Sequence, residues 1–159
     1  MTTLLEIKNL SVNIATDQGD VHAVRDVSLS LEPGETLAIV GESGCGKSVF
    51  CKSILGILPV RAEVAGGEIL FKGRDLAGLS EKELETVRGK EISMIFQDPM
   101  TSLDPVFKIG KQMVEMICAH QKVSKAEARK MAVDALNRVG IPEPEKRMES
   151  YAYELSGGM

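Results

Sequence analysis

The sequence predicts an α/β fold, on three observations. Residues 5–14 (LEIKNLSVNI) and 21–31 (VHAVRDVSLSL) alternate apolar and polar positions around the turn-rich 16–20 (TDQGD). Residues 35–40 (ETLAIV) form a continuous apolar run that leads straight into a glycine-rich stretch and a second apolar segment at 48–58. Beyond Ile109 the apolar residues recur at helical spacing instead. Alternation marks a half-buried strand, a continuous run a strand covered on both faces of a mostly parallel sheet, and i, i+3, i+4 recurrence a helix.

Taken in order, the two alternating runs predict a twisted antiparallel pair, and Pro33-Gly34 breaks the pattern. The run at 35–40 predicts a buried strand. Residues 48–58 (SVFCKSILGIL) predict a buried helix ending near Pro59, because proline cannot continue helical hydrogen bonding. Gly66-Gly67 opens a strand at 68–72 that Gly73 closes. Ser80 and Glu83 have the spacing of a capping box, whose hydroxyl and carboxylate satisfy the first free amides of a helix running to about Arg88. A strand at 91–97 (EISMIFQ) stops at Asp98-Pro99. Ile109, Met113, Met116, Ile117 and His120 then share one helical face. A second capping pair, Ser124 and Glu127, opens a helix with an apolar stripe from Ala128 to Val139 and a stop at Gly140. Pro142 and Pro144 mark a linker before a last helical stretch at 145–153. The expected organisation is a sheet-containing unit over 1–98 and a helical unit over 99–159, with the proline-containing DPMTSLDPV at the junction.

Composition narrows the classes. With 159 residues, 43% hydrophobic and 26% charged, the chain has the make-up of a soluble globular protein, neither disordered nor membrane-spanning. Its apolar runs are far too short to cross a bilayer. A net charge of −4 without any Lys/Arg-rich block argues against a nucleic-acid binder working by phosphate neutralisation. The start, MTTLLE, lacks the features of a secretory signal, so a cytoplasmic protein is expected. Cys45, Cys51 and Cys118 lack CxxC spacing, which disfavours a disulfide framework and a zinc site and leaves reduced thiols. His22 and His120 stand far apart and read as ordinary surface or half-buried residues.

The strongest chemical signal is GESGCGKS, residues 41–48, which matches GxxxxGK[ST] between a predicted buried strand and a predicted helix. Chance supplies that pattern in on the order of one in a hundred chains of this length. The backbone of Gly41, Glu42, Ser43, Gly44, Cys45 and Gly46 can wrap tightly and point its N–H groups inward. With the helix start at Lys47, Ser48 and Val49, those amides form a site for polyphosphate. Lys47 adds a compact positive charge for the outer phosphates, and the Ser48 hydroxyl can ligate Mg²⁺. A mere packing turn needs neither the lysine nor the hydroxyl.

Cys45 reads as a small side chain where only the backbone matters; the alternative is a redox switch, since a helix N-terminus and a lysine favour a thiolate. Alkylation of Cys45 is expected to block nucleotide binding sterically. Gln97, at the end of a predicted strand, could reach Mg²⁺ or orient a water, although a strand-terminal glutamine taken alone is more often a solvated residue. Leu155-Ser156-Gly157-Gly158 is a second glycine-rich stretch able to present amides and a hydroxyl to an anion, or simply to cap a helix.

Together, the phosphate loop, Gln97 and LSGG, in this order and at these distances, resemble the nucleotide-binding subunits of ABC transporters over nearly the whole chain. GESGCGKS, FQDPMTSLDPV, VGIPEPEKR, and LSGGM where many relatives read LSGGQ, are similar to the oligopeptide and dipeptide importer branch in particular. The resemblance implies a P-loop NTPase (RecA-like) core with an antiparallel β subdomain and a helical subdomain. It implies ATP and Mg²⁺ as ligands, with Lys47 and Gln97 in catalysis and Ser48 and Gln97 toward the metal. It also implies a head-to-tail dimer in which Ser156, Gly157 and Gly158 of a second ATP-binding subunit close over the γ-phosphate. Membrane permease subunits are the further partners, reached through the helical unit from the inner face of the cell membrane without direct membrane insertion. ATP hydrolysis would then drive import of peptides or similar small solutes.

Two departures qualify the resemblance. The family usually places an aromatic residue near the end of the first strand to stack on adenine; the corresponding position here is Ile14, so base recognition should be weaker or shared. The chain also stops at Met159, where relatives continue into the segments that carry the Mg²⁺-binding aspartate, the catalytic glutamate and the switch histidine. It therefore looks like the N-terminal half of such a subunit with its C-terminal part missing, and residues 1–159 alone are expected to show negligible ATPase activity. An ATP-switched clamp in DNA repair or translation shares the same core without a permease; the missing basic patches and the importer-like FQDPMTSLDPV favour transport. A GTP switch is disfavoured by the missing NKxD motif.

Overall fold

The computed structural model describes residues 3–97 and 102–159, and the chain divides after Ile92 into two compact units. The expected boundary at Asp98, the Asp98-Pro99 stop and the first residues of the connector lie outside the described residues.

The first unit is built on a four-stranded antiparallel sheet in the order β2-β1-β3-β4, formed by β1 (Leu5–Thr16), β2 (Gly19–Leu31), β3 (Ala62–Phe71) and β4 (Arg74–Asp75). The β1–β2 pair runs from Leu5 opposite Leu31 to Thr16 opposite Gly19, as the alternation predicts. Bulges interrupt it, and side chains hold them in place. Asn9 and Asp26 both adopt positive φ, and the Asn9 amide donates to Asp26 Oδ1 at 2.7 Å. The core gathers Ile7, Leu10 and Val12 of β1, Val24 of β2, and Ile69 and Phe71 of β3. Phe50 of α1 (Lys47–Ile54) and Leu84 and Val87 of α2 (Glu81–Val87) join them. The capping box at Ser80 opens α2 as expected. Helix α1 ends four residues short of Leu58, and the Arg88 side chain donates to the Leu55 and Gly56 carbonyls just past its end.

Three expectations fail for one reason: a strand is defined by its partner. Residues 35–40 and 91–97 carry strand-like sequence, yet neither enters a ladder among the described residues. Val40 is 91% exposed, the reverse of the doubly covered position expected in 35–40, and Ile95 of the second segment is 99% exposed. Conversely, β3 starts at Ala62, six residues before the expected strand, because β1 offers it an edge from Leu5 to Ile14. Gly66-Gly67 lies inside β3 rather than opening it.

The second unit contains α3 (Ile109–His120), α4 (Lys125–Arg138), α5 (Pro144–Arg147) and a 3-10 turn at Ala152–Glu154. Ile109, Ala128, Ala132, Met148 and Ala152 are among its buried apolar residues. The expected single helix over 145–153 is two short pieces, with Glu143 at φ 52° before the first. Met116 and Val139, placed on apolar faces by spacing, are exposed.

Helix α4 is capped reciprocally: Glu127 N donates to Ser124 Oγ at 3.2 Å, and Ser124 N donates to Glu127 Oε2 at 2.9 Å. The Ser124 hydroxyl, and then its amide, hold the Glu127 carboxyl below its ordinary value. A depressed folded pKa means that the cap's ionic stabilisation is present above the usual carboxylate range and is lost as pH falls through the folded value. Ser124→Ala removes the serine oxygen and is expected to destabilise the helical unit by about 1 kcal/mol at neutral pH. In thermal melts followed by circular dichroism, the gap between the variant and the unaltered chain narrows on acidification.

Candidate phosphate-binding site

The stretch 41–48 follows the 35–40 segment, wraps, and opens α1. Gly46 is the residue before the helix, at φ 93°, and a Cβ there would lie 2.2 Å from the Ala23 carbonyl oxygen. The loop is therefore seated directly on β2, at a contact that only glycine permits. No side chain caps the helix start. The first amides of α1 accordingly have no intrahelical partner and meet the positive end of its dipole.

Lys47 folds back into the loop. Its ammonium donates to Gly41 O at 2.8 Å, Glu42 O at 2.7 Å and Cys45 Sγ at 3.4 Å, which engages its three donors with uncharged acceptors. Cys45 is more than a spacer: its sulfur accepts from Lys47 and lies against Gly41, where a Cβ would sit 2.6 Å from it. The Ser48 side chain is exposed.

Loop and strands share one cleft of about 750 Å³. Gly44 to Phe50 line it with Ile14, Val21, Val24, Val27 and Leu29 of the β1–β2 pair, so Ile14 occupies the same hollow as the phosphate loop. Val21 and the Ala23 carbonyl are contributions that sequence reasoning missed; the turn at 16–20 carried the signal for Val21, since the register places it opposite Ile14. In the second unit, Gln97 is exposed at a bend. Ser156, Gly157 and Gly158 are exposed in a turn closed by Met159 N donating to Ser156 O at 2.9 Å. No described helix is long and apolar enough to cross a membrane. No group of three or more His, Cys, Asp or Glu side chains that could hold a metal occurs among the described residues, and the three cysteines are free.

A glycine loop seated on a strand and running into an uncapped helix defines the class of P-loop nucleotide-binding proteins. The chain belongs to the ABC transporter family, which it matches over residues 24–159. It is 54% identical to the oligopeptide transport ATP-binding protein OppD of Bacillus subtilis over 160 aligned positions, covering 100% of this chain and 45% of that protein. It is 55% identical to the dipeptide transport ATP-binding protein DppD of Lactococcus lactis, over 98% of this chain and 45% of that one. The chain thus spans about half the length of these relatives. Among solved structures it is similar to the dimeric bacterial ABC transporter cassette MJ0796, with a TM-score of 0.84 at 24% identity over 97% of this chain and 64% of that one. A second structure of MJ0796 is a post-hydrolysis state bound to ADP and Pi. These structural matches establish the cassette fold.

Proposed function

We propose that the chain is the nucleotide-binding part of an ATPase subunit that powers import of peptides or similar small solutes through an ABC transporter. The observation that carries this reading is the 41–48 loop, with its uncapped helix start, its lysine folded inside and its position in one cleft with Ile14. The peptide-transport names of the relatives support the substrate class.

The residues fit a triphosphate. Loop amides and the first amides of α1 donate to the phosphate oxygens, and Lys47 exchanges a neutral acceptor for an anionic one, a stronger charge-assisted bond. Ile14 contacts the base. Mg²⁺, when bound, neutralises phosphate charge; the Ser48 hydroxyl would hold it from the loop, and by family resemblance Gln97 is the other metal-facing residue. By the same resemblance Ser156, Gly157 and Gly158 serve the nucleotide of a second ATP-binding subunit in a head-to-tail dimer. The permease is engaged at the inner face of the cell membrane.

Titration calorimetry of Mg-ATP tests the reading. Lys47→Ala is expected to weaken binding by roughly 30- to 100-fold, the loss of one hydrogen bond to a charged group. Equal affinity in the two chains overturns it.

A further inference from the structure

We infer that the hollow between the N-terminal turns of α3 and α4 is a second anion site, one that takes the phosphoryl group of an organic phosphate. It lies within the helical unit and does not depend on the nucleotide reading above.

Four cations line this hollow of about 370 Å³, Lys108 and Lys111 at the start of α3 and Lys125 and Arg129 on α4, against two carboxylates, Glu115 and Glu149. The local excess is positive in a chain whose net charge is −4. Neighbouring carboxylates do not remove it. Glu149 is divided between two partners: Lys108 Nζ donates to its Oε2 at 2.9 Å, and Arg129 donates to its Oε1 at 2.8 Å. The bond to Glu149, and then its charge, hold the Lys108 ammonium above its ordinary value, while the like charge of Arg129 works against it. Glu115 stands 3.9 Å from Lys111 Nζ, which lies instead over the Phe107 ring, 3.5 Å from its centre. Glu127, the carboxylate nearest to Lys125 in sequence, is held by Ser124, and Lys125 has no ion pair among the described residues.

The unengaged donors of Lys111, Lys125 and Arg129 are thus open to a ligand. A phosphate monoester carries about −1.5 to −2 at neutral pH and offers three acceptor oxygens, which matches four cations set against two carboxylates; a carboxylate ligand would leave positive charge over. The planar fork of Arg129 suits two of those oxygens, and the lysines act as point charges on the rest. The volume falls at the lower end of the range of small-molecule sites, about 300–1,000 Å³, so an organic stem fits beside the phosphate. The floor is fixed. Gly110 N donates to Met148 O at 2.9 Å, Ile109 N to Ser150 O at 2.9 Å, and Met148 is 1% exposed. The cations therefore stand on packed helices, which lowers the ordering cost of binding.

Amide NMR of the chain titrated with glycerol 3-phosphate tests this, with glycerol as the uncharged control. Saturable shifts are expected at the amides of 108–115 and 125–129, absent with glycerol and weakened by salt. Lys111→Gln and Lys125→Gln should each weaken the binding about two- to fivefold, as the loss of one exposed ionic contact does, whereas Lys125→Arg retains it. Both side chains are exposed, and circular dichroism checks that the variants stay folded. Sedimentation with phosphatidylcholine vesicles, with and without phosphatidic acid, identifies the source. Pelleting that needs phosphatidic acid and is lost in the two variants makes the ligand a lipid headgroup; titration without pelleting makes it a soluble phosphate. If neither glycerol 3-phosphate nor the vesicles distinguish the unaltered chain from the two glutamine variants, the inference is overturned. Shifts confined to 41–48 overturn it as well and leave the phosphate-loop reading standing, while shifts confined to the helical unit support it whatever becomes of that reading.

Discussion

Gly46→Ala is expected to weaken Mg-ATP binding about a hundredfold while the far-ultraviolet circular dichroism of the chain is retained. The residue sits at φ 93°, and its added Cβ would lie 2.2 Å from the Ala23 carbonyl oxygen. Holding an L-residue in the left-handed region costs about 1–2 kcal/mol by itself. The obstacle is main chain of β2, so no side-chain rotation relieves it; the loop must draw back by roughly 1 Å to restore van der Waals contact. Helix α1 keeps its anchor through buried Phe50, which confines the damage to the loop. Binding must then restore the seated geometry against about 3 kcal/mol of strain, and each 1.4 kcal/mol is a factor of ten. Calorimetry reads the loss directly, and an affinity within threefold of the unaltered chain would show that the contact with β2 does not matter to the site.

That contact also marks how far the sequence could be read. GESGCGKS announces its chemistry because each residue type serves a local need: glycine for the wrap, lysine for charge, hydroxyl for a metal. What the loop rests on belongs to β2, some twenty residues earlier, and no local pattern encodes that pairing. The capping boxes at Ser80 and Ser124 were legible for the same local reason, since donor and acceptor lie three residues apart. The β1–β2 hairpin was legible because alternation and turn chemistry agree over its whole length. Residues 35–40 and 91–97 misled because apolar content registers a demand for burial, whereas a strand exists only where another edge supplies hydrogen bonds. At the site, Ile14 could be placed through family resemblance, but Val21 needed the register, and the role of Cys45 as an acceptor for Lys47 needed coordinates.

The other large effect is on stability. Gly67→Ala is expected to unfold the sheet unit at temperatures where Gly66→Ala leaves it folded, although the two positions are adjacent in β3. At Gly67 φ is 94°, and a Cβ would approach Lys8 O to 2.5 Å, Asn9 O to 2.6 Å and Leu10 Cα to 2.6 Å. All three obstacles are backbone of β1 at the bulge where Asn9 turns to positive φ, and that bulge is pinned from the other side by the Asn9–Asp26 hydrogen bond. Neither strand can yield without parting β1 from β3, which exposes Leu10 and Ile69, both completely buried. A penalty of about 4 kcal/mol or more follows, in the range reserved for a broken core or a forced backbone. At about 4–8 °C per kcal/mol for a unit of this size, the melting temperature falls by roughly 15–30 °C. A Cβ at Gly66 meets nothing within 4 Å, so its substitution isolates the loss of a glycine from the loss of the close approach. Melts of the two variants that coincide would refute the packing account, because the two substitutions differ chiefly in what the new methyl group meets and in the backbone angle it must accept.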